Sequence, residues 1–265
     1  MTFRMDETTI ARLAAVNRDF YRRRAAAFDE TRRAPWPGWG RVSALLATTE
    51  RASILDVGCG NGRFGAFLDG RLRRPLDYVG VDSSRELLRL AAGRAPAGSR
   101  FVEADLSGPE PLAAVEREGG AGFDLVAGFG LMHHLPGEAT RRRVLEAMAA
   151  RVAPGGHLAV SFWQFGERAR FRDRALDWGG VGLTGERVER NDFLLPWGAT
   201  DDGEDGGPGA GAATRVPRYC HYADRAEARR LVAGLELVLR DEYRSDGRSG
   251  DLNLYLLLAR PAAPG

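Results

Sequence analysis

The apolar run Ser53-Ile54-Leu55-Asp56-Val57 leads directly into a turn with glycine at every second position: Gly58, Gly60 and Gly62. Residues without a Cβ let a strand turn back sharply and bring its backbone close to a bound molecule. A helix that follows such a turn aims its free N–H groups at the same ligand. The rest of the chain repeats this alternation. Tyr78 to Val81, Phe123 to Ala127 and His157 to Phe162 read as further buried strands, and Arg100 to Glu103 as a shorter one. Between them lie helical patterns at Arg85 to Arg94 and Glu138 to Val152. In the latter, Val144, Leu145, Met148 and Val152 share one face. Leu235 to Leu239 and Leu252 to Ala259 follow a helix near Asp224 to Ala233 and bring the candidate strands to seven. Alternating β and α units predict an α/β fold, a largely parallel sheet with helices on both faces.

Two regions stand outside this core. Ile10 to Phe28 reads as a helix with a basic cluster (Arg18, Arg22, Arg23, Arg24), and Pro35 and Pro37 forbid its continuation. Residues 1–40 are therefore taken as a helical segment covering the substrate and cofactor, and 41–265 as the main domain. Within that domain, about 166–222 reads as an irregular insertion. Its centre, Gly198 to Ala213, holds six glycines and four acids and no base, the composition of a mobile surface loop.

Composition removes several functions. The 38 basic residues, all arginine, nearly balance 36 acids for a net charge of +2, which excludes a histone-like grip on nucleic acid while allowing a local basic patch. Without lysine there is no Schiff-base or P-loop lysine. Two cysteines and four histidines cannot by themselves build a disulfide scaffold or a four-ligand zinc site, and no metal is expected. No apolar run has the length of a membrane span or a signal peptide, so the chain is read as cytoplasmic.

The glycine turn does not fit the dinucleotide pattern G-x-G-x-x-G. Counted from Gly58, Arg63 takes the last position, and the frame from Gly60 to Gly65 starts two residues too late after the strand. Three acids suggest a different ligand. Asp56 precedes the glycines, where it can face a cationic group. Asp82 ends the second strand, where an acid takes two ribose hydroxyls. Asp105 follows the third, in reach of an adenine amino group. Ala153-Pro154-Gly155-Gly156 adds a tight turn before the fifth strand. Over about 50–165 this combination resembles the class I S-adenosylmethionine-dependent methyltransferases. The resemblance implies a seven-stranded, mostly parallel Rossmann-like sheet whose last strand is antiparallel. It also implies S-adenosylmethionine as cofactor, held by Asp56, Gly58, Gly60, Gly62, Asp82, Ser83, Asp105, Leu106 and Phe129.

Three flanking stretches bear on the methyl acceptor: Phe28 to Pro37, Gly130-Leu131-Met132-His133-His134-Leu135, and Asp192 to Trp197 with Arg218-Tyr219-Cys220-His221-Tyr222. Together they resemble the tRNA wobble-uridine carboxymethyl methyltransferases, which esterify a carboxymethyl group on C5 of the first anticodon base. Eukaryotic members of that family work with a small zinc-binding activator subunit. The resemblance implies tRNA, through its anticodon loop, as substrate. A carboxylate is already ionised at neutral pH, so it needs positioning rather than a general base. Arg32 first and Arg218 second are the candidates for a planar fork on the carboxylate. His133 or His134 would bond the carboxylate or the base edge, Trp36 or Tyr219 would stack on the uracil, and His221 completes the substrate set. Competing readings are a methyltransferase acting on a small-molecule carboxylate or hydroxyl and, more distantly, an NAD-dependent oxidoreductase using Gly60 to Gly65.

Overall fold

A computed structural model describes residues 4–32, 34–115, 122–197 and 216–262. The Gly198 to Ala213 stretch lies outside them. The central strand is β1 (Ala52–Val57), all six of whose residues are buried. It pairs in parallel with β2 (Leu76–Asp82) on one side and β4 (Phe123–Gly128) on the other. β3 (Arg100–Glu103) extends one wing in parallel, and β5 (Val152–Trp163) the other. β9 (Asn253–Ala259) then runs antiparallel to both β5 and β8 (Val238–Ser245). The order is β3-β2-β1-β4-β5-β9-β8, the seven-stranded, mostly parallel sheet expected.

Chain connections leave β1 toward β2 and later return to β4, so the strand order reverses beside β1, where open α/β sheets bind ligands at their carboxyl ends. The helices cover both faces. One face packs Leu55, Val57, Val126 and Leu158 against Val144, Leu145 and Met148 of α5 (Glu138–Ala150) and Ala228 and Leu231 of α7 (Arg225–Val232). The other packs Ile54, Tyr78 and Leu125 against Trp39 and Val42 of α2 (Trp39–Ala44) and Phe64 and Leu68 of α3 (Arg63–Leu72). α4 (Arg85–Ala92) follows β2, with Ser84 capping it by accepting from the Leu87 N–H.

The N-terminal helix α1 (Glu7–Thr31) begins at Asp6, which accepts from the Thr9 N–H at 2.9 Å. Its Leu13, Asn17 and Phe20 lie on one buried stripe at helical spacing. The region read as an irregular insertion differs from expectation. After the short helix α6 (Ala169–Arg172) it contains an antiparallel pair, β6 (Asp192–Trp197) and β7 (Val216–His221), on which α1 packs. The sheet formed by β6 and β7 is separate from the main one. Phe20 meets Trp197 edge-on at 5.8 Å, and Leu13 joins Leu194 and Tyr219 in one apolar cluster.

Candidate active site

The carboxyl ends of β1, β2 and β4, with α1 and β7 above them, enclose a cleft of about 430 Å³. On its floor the glycine turn takes left-handed backbone at Gly58 (φ 74°), Gly60 (φ 54°) and Gly62 (φ 76°). The Gly58 and Cys59 N–H groups fold back to donate to the Val81 carbonyl at 2.8 and 3.0 Å. A Cβ on Gly62 would lie 2.9 Å from Ala91, which explains that glycine by packing. A Cβ on Gly60 would meet no protein atom within 4 Å, so this glycine keeps open space rather than avoiding a clash. Gly62 gives α3 no side-chain cap, and the first-turn N–H groups stay available to a ligand.

Asp82 accepts from the Gly60 N–H and the Ser84 N–H, both at 2.9 Å, and burial raises its pKa. Asp56 is buried and accepts from the Tyr78 hydroxyl at 2.5 Å. Burial pushes its carboxyl up to about 7 against the Tyr78 hydrogen bond, and the neighbouring Asp82 charge adds to the rise. A cation beside Asp56 would restore its ionised form. Ser83, Leu106 and Phe129 line the same cleft. Asp105 lies at its edge, half-exposed, with Arg18 at 3.0 Å on one oxygen and the Ser107 N–H at 2.9 Å on the other. An open Gly60, uncapped helix N–H groups and two buried acids form a donor and acceptor set that fits S-adenosylmethionine, which carries two ribose hydroxyls and a sulfonium.

Above this floor sits a different chemistry. Arg218 is only 4% exposed, its Nε has no hydrogen-bond partner, and no carboxylate pairs with it among the described residues. Its guanidinium lies 5.0 Å from the Trp163 ring centre and 6.0 Å from that of Phe20. His133 is buried beside it, 5.2 Å from Trp163 ring to ring, with Nδ1 unpartnered. His134 has Nδ1 3.1 Å from the Tyr219 carbonyl and Nε2 2.9 Å from the Tyr21 hydroxyl, so Nδ1–H donates and Nε2 accepts. Burial first holds both histidines neutral, helped at His133 by His134 and Arg218 and at His134 by Arg218: His133 falls well below the usual range and His134 to about 3. Arg32 is also buried and lines the cleft, 5.3 Å from the Phe28 ring. Trp36 lies along the cleft wall against Gly130.

Tyr219 and His221 do not line the cleft. The two-residue period of β7 sends Arg218 and Cys220 to one face and Tyr219 and His221 to the other. The Tyr219 hydroxyl donates to Asp192 at 2.7 Å, and His221 sits between Asp192 (2.7 Å) and Glu227 (2.8 Å). Arg141, fully buried, closes this network onto Glu189 and Glu227. The Tyr219–His221 pair instead anchors the strand that carries Arg218, which leaves Trp36 as the one of the two candidate stacking residues that lines the cleft.

Five positioning residues escaped the motif reading. Asn17 of α1 accepts from the Tyr219 N–H at 2.8 Å and donates to the Tyr219 carbonyl at 3.2 Å, standing in for a neighbouring strand. Tyr21, one helical turn on, orients His134. Trp163 gives Arg218 its aromatic support. Arg63 counted only as a misfit in the glycine pattern, yet it lies 4.5 Å from the Trp36 ring and lines the cleft, its pKa lowered to about 10 by burial and the charge of Arg32. Asn61, inside the glycine turn, donates to Asp29 (2.8 Å) and the Arg32 carbonyl (3.0 Å), tying the end of α1 to the cleft floor.

Residues 55–158 match the family described as a methyltransferase domain. This chain carries a methyltransferase domain. A domain of this family in this fold takes S-adenosylmethionine, and the oxidoreductase reading falls away. Among curated proteins, the tRNA (carboxymethyluridine(34)-5-O)-methyltransferase of Arabidopsis thaliana is 30% identical over 52% of this chain and 30% of its own length. The Saccharomyces cerevisiae protein of the same name is 27% identical over 67% of this chain and 54% of its own. A probable tRNA methyltransferase 9B of Mus musculus is 26% identical over 67% and 32%. The chain thus spans about a third to a half of the length of these relatives. In fold, an S-adenosylmethionine-dependent methyltransferase of Methanosarcina mazei superposes with a TM-score of 0.58 at 19% identity, covering 86% of this chain and 99% of that one. Magnesium protoporphyrin IX methyltransferase of Synechocystis, solved with S-adenosylhomocysteine, gives 0.59 at 15% identity over 96% and 100%. No helix among the described residues is long and apolar enough to cross a membrane.

Proposed function

We propose that the methyltransferase domain esterifies a carboxylate, the 5-carboxymethyl group of a wobble uridine in tRNA. The observation that carries this reading is Arg218, a buried guanidinium in the cleft with no counter-charge among the described residues. An arginine of this kind suits a planar anion that arrives with the substrate, and its fork matches a carboxylate. The histidines argue in the same direction. With His134 at about 3 and His133 also depressed, neither is basic enough to draw a proton from a hydroxyl, whereas a carboxylate has none to lose.

Bound S-adenosylmethionine supplies an electrophilic methyl group on a sulfonium. The chain's own residues then act on the acceptor. Arg218, with Arg32, which lines the same cleft, holds the non-reacting oxygen and leaves the other free to attack. Trp36 stacks on the pyrimidine, while Trp163 and Phe20 exclude water and strengthen every charge in the cleft. His133 offers its unpartnered ring nitrogen to the carboxylate or base edge. Asp82 takes the ribose hydroxyls, and Asp56 faces the positive end of the donor. The similarity to the Arabidopsis and yeast wobble-uridine enzymes supports tRNA as the source of the carboxylate.

Nucleoside mass spectrometry after incubation with S-adenosylmethionine and tRNA carrying 5-carboxymethyluridine tests the proposal. The expected result is one added methyl, removable by mild base as an ester. The gain is expected to be lost in Arg32→Ala while cofactor binding persists. No gain on tRNA, with methyl transfer to a small carboxylate in the same preparation, would replace tRNA by a metabolite.

A further inference from the structure

Both ring nitrogens of His221 face carboxylate oxygens. Nδ1 lies 2.7 Å from Asp192 Oδ1, with Glu189 Oε2 at 3.4 Å on the same side, and Nε2 lies 2.8 Å from Glu227 Oε1. An ionised carboxylate only accepts hydrogen bonds, and a neutral imidazole has a single N–H to give. In either neutral tautomer a ring lone pair would therefore point at a negatively charged oxygen. Only the imidazolium, with two N–H donors, satisfies both contacts.

The surrounding acids are themselves held ionised. Asp192 also accepts from the Tyr219 hydroxyl at 2.7 Å and from the Glu189 N–H at 2.8 Å. Glu189 accepts from Arg141 and from the Glu138 N–H, both at 2.7 Å. Burial alone would raise the pKa of Glu227, but His221 and Arg141, at 3.0 Å, bring it below the usual carboxylate range. Its place in the first turn of α7 favours negative charge as well. Glu189, Asp192 and Glu227 thus surround one guanidinium, Arg141, and a proton on His221 offsets a second of their three charges. Burial opposes charging the ring, yet the hydrogen bonds to Asp192 and Glu227 outweigh it and hold the His221 pKa above its ordinary 6.5. On the cleft side, His133 and His134 stay neutral, and burial keeps the Tyr219 hydroxyl protonated.

We infer that His221 is a positioning residue for methyl transfer, an imidazolium clamp whose proton fixes β7, and with it Arg218, against β6 and α7. Asp192 opens β6 as the cross-strand partner of His221, which closes β7 three residues after Arg218. Loss of the proton sets a lone pair against Asp192 or Glu227, loosens the end of β7 and misplaces the guanidinium. The donor's seat on β1 and β2 does not depend on this bond. The inference rests on the reading of Arg218 as the holder of the acceptor's carboxylate, and it makes that seat sensitive to alkaline pH. The groups around it titrate elsewhere. His133 and His134 lie far lower, the acceptor's carboxylate ionises near ~4, and bound cofactor keeps Asp56 ionised.

The test titrates the full-length protein, labelled with 15N-histidine, by long-range 1H–15N spectra, with His221→Gln assigning the resonances. At each pH, initial rates on tRNA carrying 5-carboxymethyluridine are read as S-adenosylhomocysteine release at saturating S-adenosylmethionine, and calorimetry gives cofactor affinity. His221 should carry a proton on both nitrogens at neutral pH. As pH rises through its titration, kcat/KM for the tRNA should fall by ~10- to 100-fold, the scale of a misplacement of about 1 Å, while cofactor affinity does not fall. Glu227→Gln keeps an acceptor oxygen but removes a charge, so the midpoint in the spectra and the alkaline limb of kcat/KM should move together to lower pH. A neutral His221 tautomer at neutral pH overturns the clamp. A limb that stays in place while the Glu227→Gln midpoint moves overturns the positioning role and leaves the acceptor reading intact. No methyl transfer to this tRNA at any pH, with the imidazolium present, overturns the acceptor reading and the positioning role together.

Discussion

Replacing Arg218 by methionine should make the protein more stable and nearly inactive. A guanidinium buried without a counter-ion costs several kcal/mol of desolvation, of which its stacking on Trp163 at 5.0 Å returns about 2. Methionine fills a similar volume, keeps the contact with Trp163 and removes the charge, so the net gain should be ~1–3 kcal/mol. At about 2.1 cal/mol/K of unfolding entropy per residue, a chain of 265 residues would rise in Tm by roughly 2–5 °C. The same change removes the charge-assisted fork on the acceptor. A loss of about 3 kcal/mol corresponds to ~100-fold or more in kcat/KM. Differential scanning fluorimetry, cofactor titration and initial rates on the same preparations give all three quantities, with cofactor affinity expected to stay within about twofold. A variant that is less stable than wild type and retains its activity would refute the reasoning, because it would mean that Arg218 serves the fold and not an incoming anion. Arg218→Lys should rescue little of the rate, since a point charge does not reproduce the fork.

Three other changes test separate parts of the site. Asp82→Ala removes the acceptor for the Gly60 and Ser84 N–H groups as well as the ribose contact, and calorimetry should show S-adenosylmethionine binding abolished; wild-type affinity would overturn the cofactor frame. Asn17→Ala leaves the Tyr219 N–H without its partner and the Tyr219 carbonyl with His134 alone, which should cost ~1–3 kcal/mol in denaturant titrations and lower kcat more than cofactor affinity; an equal loss in both would show a general unfolding instead. Asp56 should set a pH dependence. Its folded pKa of about 7 lies above its unfolded value, so its contribution to stability is complete below the unfolded value, about 4, and is lost as pH rises through 7. Wild-type stability without cofactor should therefore decline between pH 5 and 8 by up to ~3 kcal/mol from this group, and Asp56→Asn should flatten the curve. A wild-type curve as flat as that of the variant would show that Asp56 ionises normally.

Most of the sheet was legible in the sequence because its inner strands carry short apolar runs and the parallel ones alternate with helices, whereas the edge strand β8 is largely polar. Six of the seven candidate strands belong to it, including Arg100–Glu103, which is short and only half-buried because it is an edge, while the candidate Leu235 to Leu239 meets β8 only at Val238 and Leu239. The β6–β7 pair was not legible. Pro196 interrupts the first strand's pattern, the partner strand is distant in sequence, and neither has the uniform burial of β1. The consequence reached the site. A motif containing Arg218, Tyr219 and His221 invites one role for all three, but adjacent residues of a strand face opposite ways. That period already forbids Arg218 and Tyr219 from touching the same ligand, although it does not say which of them faces the cleft. Trp36 and Arg32 were found from a motif, whereas Asn17 and Trp163 carry no pattern at all. They matter only because folding brings them to Tyr219 and Arg218.

The bond between Asn17 and Tyr219 spans 202 positions of the chain. The glycine turn, Asp56 and Asp82 need only β1, β2 and their neighbours, and these are complete long before β7 has left the ribosome. The first helix must wait through the synthesis of nearly the whole sheet before its partner strand exists. The two halves of the cleft therefore mature at different times, the donor's seat early and the acceptor's seat last. A chain cut short before β7 lacks both Arg218 and the partner of Asn17, and so cannot build the latter.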